Sequence, residues 1–170
     1  LDVSVLAERP PGRSPIITER YLGVERSIAY DLVREQVGAG RQVFVICPLV
    51  EASDVIEAKA AVEEAERLQT DVFPELRVAV LHGRMKAREK DMIMEGFRNQ
   101  EADLLVSTSV IEVGIDVPNA TVMIIEGADR FGLAQLHQFR GRVGRGVPVV
   151  GGQAGHGLFL AVFPDGPSQS

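Results

Sequence analysis

Residues 77–107, RVAVLHGRMKAREKDMIMEGFRNQEADLLVS, contain two short apolar runs that flank a longer segment of helical character. The runs at 77–81 and 103–107 are largely continuous rather than alternating, which is typical of strands buried on both faces of a parallel sheet. Between them a helix is predicted over about 87–97, with these side chains turned inward: Met92, Ile93, Met94 and Phe97. This order of elements predicts a right-handed βαβ unit.

The same alternation of strands and helices continues on both sides of this unit. Further strands are predicted at 43–47, 121–125 and 158–162, with an edge strand at 16–18. Helices are predicted at 25–37, ending in a glycine cap at 38–40, and at 55–68. We therefore expect an α/β fold with a mainly parallel sheet that helices cover on both faces.

The helix at 55–68 is predicted to be amphipathic, because apolar and charged side chains alternate with helical spacing. Its apolar face is predicted to consist of Val55, Ile56, Ala60, Val62, Ala65 and Leu68. Its solvated face is predicted to consist of Glu57, Lys59, Glu63, Glu64, Glu66 and Arg67.

Composition limits the classes of protein to which the chain can belong. With 170 residues, 45% of them hydrophobic, it is long enough for one domain with a sizeable core. A net charge of -6 argues against a surface that binds nucleic acid everywhere, so any such binding must be local. No apolar stretch approaches the length of a membrane span, no signal peptide is recognisable, and the single cysteine fits a reducing compartment. We expect a cytoplasmic protein without a membrane partner.

Residues 135–146, QLHQFRGRVGRG, place three arginines among three glycines directly after a predicted helix. Arginine grips phosphate oxygens with a forked pair of donors, and glycine lets the main chain approach closely. The chain contains no Gly-x-x-x-x-Gly-Lys-Ser/Thr phosphate loop. Arg142 and Arg145 are therefore candidates for arginine fingers that complete a nucleotide site built by another domain.

Weaker candidates lie where predicted strands end. Thr108 and Ser109 follow a strand, and two interpretations stay open: donors to a nucleic-acid phosphate, or hydroxyls that cap their own turn. Arg84 follows another strand and suits a nucleic-acid backbone, whereas His82 and Lys86 are interpreted as structural and solvated residues. No histidine has the spacing of a metal ligand, so we predict no metal site.

Taken together, these segments resemble superfamily 2 helicases, and among them the second RecA-like motor domain of RecG-type ATP-dependent DNA helicases. Residues 138–145, QFRGRVGR, are similar to helicase motif VI, and residues 107–118, STSVIEVGIDVP, to motif V. The longer string 127–146 narrows the resemblance to RecG and the transcription-repair coupling translocase. The segments that favour RecG are 10–13, 48–51 and 82–86.

The resemblance implies a three-layer RecA-like fold and a role for each matching residue. Arg142 and Arg145 are expected to act on ATP as catalytic arginine fingers. Gln138 is expected to bind the nucleotide as a phosphate contact or to serve as a coupling contact, and Gly114 with Asp116 to bind on the nucleotide side or to link to the DNA side. The residues expected to contact DNA are Arg84, Thr108 and Ser109. ATP with Mg²⁺ is expected to be held mainly by a first RecA-like domain, which is not within this sequence.

The resemblance also implies an organisation and partners. Residues 1–15 are expected to be a linker from a preceding motor domain, 16–163 the C-terminal RecA-like helicase domain, and 164–170 a tail. The expected partners are branched or forked double-stranded DNA and the first motor and wedge domains of the same protein. The expected outcome is the remodelling of stalled forks and the branch migration of recombination junctions. The isolated chain is expected to be inactive.

The sequence departs from the family pattern after Gly146 and leaves two alternative functions open. Residues 147–155, VPVVGGQAG, depart from the family pattern and predict a mobile loop, and the family's coupling helical hairpin does not follow. One alternative is the motor domain of a transcription-repair coupling translocase. The other is a non-enzymatic module that binds a nucleotide, a nucleic acid or a protein.

Overall fold

The fold is organised around one large sheet. The computed structural model describes residues 4–5, 16–47, 54–108, 117, 119–132, 134, 136, 138, 149–150, 153–154 and 157–163. The helices are α1 (Arg26–Gly38), α2 (Asp54–Arg67) and α3 (Ala87–Arg98). The strands are β1 (Ser4–Val5), β2 (Ile16–Leu22), β3 (Gln42–Ile46), β4 (Val78–Leu81), β5 (Leu104–Ser107), β6 (Ala120–Ile125), β7 (Val149–Val150), β8 (Gln153–Ala154) and β9 (Gly157–Phe163).

Seven of these strands form the sheet, in the order β1-β2-β9-β6-β3-β5-β4. All neighbouring pairs are parallel except β1 and β2, which are antiparallel. The mainly parallel sheet is confirmed, and the five predicted apolar strands lie within one residue of β3, β4, β5, β6 and β9. Helices α1 and α3 likewise start and end within one residue of their predicted bounds.

Helices cover both faces of the sheet, as predicted, because successive strand residues point to opposite sides. In β3, Val43 and Val45 pack with the residues of α1 and α2, whereas Phe44 and Ile46 pack with those of α3. Strands β5 and β6 alternate in the same way. The sheet thus separates two apolar cores, and the molecule has three layers.

Strand β3 is the point at which the chain changes direction across the sheet. From β3 the chain passes through α2, β4 and α3 to β5 on one side, and then crosses to β6 on the other. Parallel α/β sheets bind ligands at such switch points, outside the carboxyl ends of the strands. The carboxyl ends of β3, β5 and β6 therefore mark where a site is expected.

The predicted apolar face of α2 is wrong for three of its residues. Val55 is 56% exposed, Ile56 44% and Val62 37%. The buried face consists of Ala58, Ala61, Ala65 and the following Leu68. These residues recur three and four apart, and the small alanines let the helix approach the sheet closely.

Three further predictions require correction. Met92 is 68% exposed, because it lies two positions from the buried Met94 and so points to the other side of α3. The strand that begins at Ile16 is not at the edge, since β1 pairs along its outer side. The segment 147–155, predicted to be a loop, contains the antiparallel pair β7 and β8.

None of the helices in the described ranges is both long enough and apolar enough to cross a bilayer.

Helix α1 ends at a glycine, as predicted, through a paired hydrogen-bond motif. Gly40 has a φ of 90°, and its N–H donates to the carbonyl of Val37 at 2.9 Å. The N–H of Arg41 donates to the carbonyl of Gln36 at 3.0 Å. This pair of bonds is the Schellman arrangement, which requires the left-handed conformation at the residue after the cap.

Gly40→Ala is expected to lower the free energy of unfolding by about 1 kcal/mol, because an L side chain is strained at positive φ. Gly38→Ala is the matched control: Gly38 lies in the helix with nothing within 4 Å of an added Cβ, so the same change should stabilise by about 0.5 kcal/mol. Urea unfolding of both variants measures the difference. Equal effects of the two substitutions would contradict the assignment of the cap.

Candidate nucleic-acid and nucleotide site

The carboxyl ends of β3, β5 and β6 are joined by main-chain hydrogen bonds beyond the strands themselves. The N–H of Cys47 donates to the carbonyl of Ser107 at 2.8 Å, and the N–H of Glu126 donates to the carbonyl of Ile46 at 2.9 Å. Three chain segments therefore leave the sheet side by side. The side chains that follow them form the candidate site.

Thr108 is the first residue after β5 and is almost completely buried, with 2% of its surface exposed. Its hydroxyl donates to Oε1 of Glu57, in the first turns of α2, at 3.1 Å. Glu57 is half-buried, as are Glu64 and Arg67, so these three residues of the predicted solvated face of α2 are less exposed than predicted. The expected contact between Thr108 and DNA stays a prediction, and Ser109 lies outside the described residues.

Arg84 lies in the turn between β4 and α3, and its side chain is exposed. The N–H of Arg84 donates to Nδ1 of the half-buried His82 at 3.3 Å, and the N–H of Met85 donates to the carbonyl of His82 at 3.2 Å. Lys86 caps α3, and its N–H donates to Glu89 at 3.2 Å. This turn holds Arg84 in solvent at the carboxyl end of β4, while its DNA contact remains a prediction.

The segment after β6 carries Gln138. Gly127 has a φ of 58°, the residues Ala128–Arg130 form a short 3-10 turn, and Phe131 packs against the core on the α3 side of the sheet. The N–H of Leu136 donates to the carbonyl of Gly132 at 3.0 Å. Gln138 follows in helical conformation and is exposed.

The remaining predicted site residues lie outside the described residues: Gly114, Asp116, Arg142 and Arg145. Sequence reasoning placed Arg142 and Arg145 four and seven residues beyond Gln138. Of the eight predicted positions, the structure thus places Arg84, Thr108 and Gln138.

A polar cluster at the end of β6 was missed by the sequence analysis. It consists of Arg26, Tyr30, Glu64, Arg67 and Glu126. Glu126 is 7% exposed and accepts hydrogen bonds from Nη2 of Arg26 at 3.0 Å and from the hydroxyl of Tyr30 at 3.2 Å. Arg67 donates to the hydroxyl of Tyr30 at 2.8 Å and lies 4.0 Å from Glu126. The signal available in the sequence was a carboxylate directly after the apolar run 122–125, VMII.

Burial and charge alter the titration of this cluster. Burial first, and then the nearby Glu126, raise the pKa of Tyr30 to about 12, while Arg67 opposes the shift. Burial also raises the pKa of the Cys47 thiol well above its ordinary value, so the thiol stays neutral. Two guanidinium and two carboxylate groups line a cleft of about 400 Å³ above Cys47. Their charges balance, so the cleft has no strong preference for an anion.

The described part of the chain holds no group of three or more His, Cys, Asp or Glu side chains arranged to bind a metal ion.

Comparison with known proteins identifies the family. The conserved C-terminal domain of helicases matches residues 26–147. The chain belongs to this helicase family. The match includes β3, β5, β6 and every predicted site residue.

The helicase domain is similar to proteins named ATP-dependent DNA helicase RecG, which confirms the resemblance. It is 53% identical to the RecG helicase of a Synechocystis species, over 86% of this chain and 18% of that relative. It is 50% identical to that of Escherichia coli K12 over 86% of this chain and 21% of the relative. This helicase domain therefore spans about a fifth of the curated relatives that it matches.

Solved structures agree with the sequence comparison. A structure of RecG bound to a three-way DNA junction matches 95% of this helicase domain and 20% of that chain, with 42% identity and a TM-score of 0.69. The Hef helicase domain of Pyrococcus furiosus matches 84% of this domain with a TM-score of 0.55 and 22% identity, which shows a shared fold. The RecA-like class of the predicted fold is confirmed.

The raised pKa of Tyr30 predicts a loss of stability in alkali. The unfolded chain releases the Tyr30 proton near pH 10, whereas the folded domain retains it until about pH 12. The contribution of Tyr30 is thus complete below pH 10 and is lost as the pH rises through this interval. Tyr30→Phe should lose less unfolding free energy than the wild type between pH 10 and pH 12, as measured by urea unfolding at each pH. An equal loss in both proteins would assign the effect to other groups, such as Tyr21, whose pKa is also raised.

Proposed function

We propose that this chain is the C-terminal motor domain of a RecG-type ATP-dependent DNA helicase. The observation that carries the proposal is the identity of 50–53% to RecG helicases over 86% of the chain. Its substrate is proposed to be branched or forked double-stranded DNA, which is supported by the similar RecG structure bound to a three-way junction. The cellular role is then the remodelling of stalled forks and the branch migration of recombination junctions in the cytoplasm.

In this proposal the domain completes a nucleotide site that another domain supplies in part. ATP and Mg²⁺ are held mainly by a first RecA-like domain, because this chain has no phosphate loop. Arg142 and Arg145 stabilise the charge that develops during phosphoryl transfer, and Gly114, Asp116 and Gln138 bind on the nucleotide side. Gln138 is exposed in a helical position beyond Phe131 and Leu136, which pack against the core, and this position supports its proposed contact with the nucleotide.

The DNA side is proposed to lie along the carboxyl ends of β4 and β5. Arg84 is exposed after β4, while Thr108 and Ser109 follow β5, the neighbouring strand in the sheet. Contacts of this kind bind the phosphate backbone and carry no sequence preference. A helicase that moves along DNA needs that property.

Arg142→Ala or Arg145→Ala should lower DNA-stimulated ATP turnover by about 10³-fold, as loss of an arginine finger does, with a much smaller change in DNA affinity. The assay uses the complete polypeptide that contains this chain, with and without branched DNA. Arg98→Ala, an exposed arginine at the far end of α3, is the control and should retain turnover. Unchanged turnover in both finger variants would remove the assignment, and a complete polypeptide without any ATP hydrolysis would favour the binding-module alternative.

Arg84→Ala should weaken junction binding uniformly across DNA sequences. It should also reduce the slope of log K against the logarithm of the salt concentration by about one, the value for one phosphate contact. Arg98→Ala again serves as the control, because it removes the same charge from the last residue of α3, about 16 Å along the helix axis from its first residue. Binding is measured over a series of salt concentrations. If both variants change the slope equally, then Arg84 contributes only bulk charge.

A further inference from the structure

The hydroxyl of Thr108 has one proton, and the structure shows where that proton goes. Thr108 Oγ1 donates to Oε1 of Glu57 at 3.1 Å, although the two residues are 51 positions apart in the chain. With 2% of its surface exposed, Thr108 has little freedom to make a second arrangement without moving its neighbours. The bond ties the first residue after β5 to the N-terminal part of α2.

A DNA phosphate requires the same proton. The phosphodiester group carries no donor at neutral pH, so the side-chain hydroxyl of Thr108 can bind it only by donating its proton. A hydroxyl donates one hydrogen bond at a time. The contact with Glu57 and a contact with phosphate at this hydroxyl therefore exclude each other.

The charge of Glu57 opposes DNA in the same place. Glu57 is the fourth residue of α2, where the N-terminal end of the helix dipole favours a carboxylate. A carboxylate within hydrogen-bond distance of Thr108 lies close to any phosphate that Thr108 binds, and the two negative charges repel each other. Glu57 thus opposes DNA binding in two ways: it accepts the hydroxyl proton of Thr108, and its negative charge repels the phosphate.

We propose that Glu57 competes with a DNA phosphate for the Thr108 hydroxyl, so that DNA engages Thr108 only by displacing Glu57. The inference rests on the proposed function, because it requires DNA at this end of the sheet. Its consequence is that Glu57 lowers the resting affinity for DNA, and that DNA binding releases the N-terminal turn of α2 from β5.

Glu57→Gln and Glu57→Met are expected to tighten binding of a synthetic three-way DNA junction by about three- to tenfold at low salt, with a smaller gain as salt screens the charge. Gln keeps the acceptor oxygen without the charge, and Met keeps the length without a polar group. Glu63→Gln is the matched control, since it removes one exposed negative charge from the same helix. It should change affinity by less than about twofold. A gain of affinity is decisive here because a damaged domain binds more weakly.

Thr108→Val, made both in the wild type and in the Glu57→Met variant, separates competition from simple repulsion. In the wild type the hydroxyl proton is exchanged between two acceptors, so loss of the hydroxyl should weaken junction binding by a smaller factor than in the Glu57→Met variant. In the Glu57→Met variant the hydroxyl gains a hydrogen bond to a charged group on binding, so its loss should weaken junction binding by about tenfold. The cycle is measured by equilibrium binding to the complete polypeptide that contains this chain, with thermal unfolding as the test of integrity.

Each other outcome overturns the inference. It fails if the Glu57 variants bind no tighter than Glu63→Gln, if they bind more weakly, or if the gain is the same with and without the Thr108 hydroxyl. In these cases the polypeptide still binds the junction, and the proposed function stands. A complete polypeptide that binds no junction DNA under any of these conditions overturns the proposed function as well.

Discussion

Every residue of β3, β5 and β6 is buried, and this constraint places the described polar side chains of the candidate site just beyond the ends of these strands. A polar side chain inside such strands needs a partner, because burial without one is costly. Gln42 meets this requirement at the start of β3 by donating to the carbonyls of Phe97 and Ala102, whereas the buried Thr121 hydroxyl in β6 has no hydrogen-bond partner among the described residues. At the opposite ends of the strands the chain leaves the sheet, and there Thr108 and Glu126 introduce polar groups that helices α1 and α2 complete.

The two carboxylates at this end of the sheet are stabilised very differently. Glu126 is held by Arg26 and Tyr30 and lies near Arg67, so removing a partner leaves a buried charge uncompensated. Glu57 is half-buried, and the partner shown for it is the neutral hydroxyl of Thr108. A bond between a hydroxyl and a partly hydrated carboxylate is much cheaper to exchange than a compensated ion pair. The cluster around Glu126 therefore stabilises the fold, whereas the hydrogen bond between Glu57 and Thr108 is weak enough to break and re-form during the proposed binding and release of DNA.

The strands could be predicted from the sequence because their apolar runs are continuous, and burial on both faces leaves little other choice. The buried face of α2 could not be predicted from hydrophobicity. The weakly hydrophobic Ala58 and Ala61 are buried, whereas the strongly hydrophobic Val55 and Ile56 are exposed. Alanine side chains let α2 approach the sheet closely, and this close packing decides which face of the helix is buried. For the candidate site, the sequence predicted only which strand ends carry polar residues and not which side chains those residues contact. The contact between Glu57 and Thr108 joins distant parts of the chain and follows only from the packing of α2.

Helix α2 makes polar contacts at both of its ends, and these contacts join the proposed DNA and nucleotide sides. Near its start Glu57 accepts from Thr108, and at its last residue Arg67 donates to Tyr30 and Glu64. Tyr30 in turn donates to Glu126, from which the segment carrying Gln138 departs. The strands between these points are fully buried and linked by main-chain hydrogen bonds, so they resist deformation. Release of Glu57 would therefore leave the last turn of α2 held by the contacts of Arg67 with Tyr30 and Glu64.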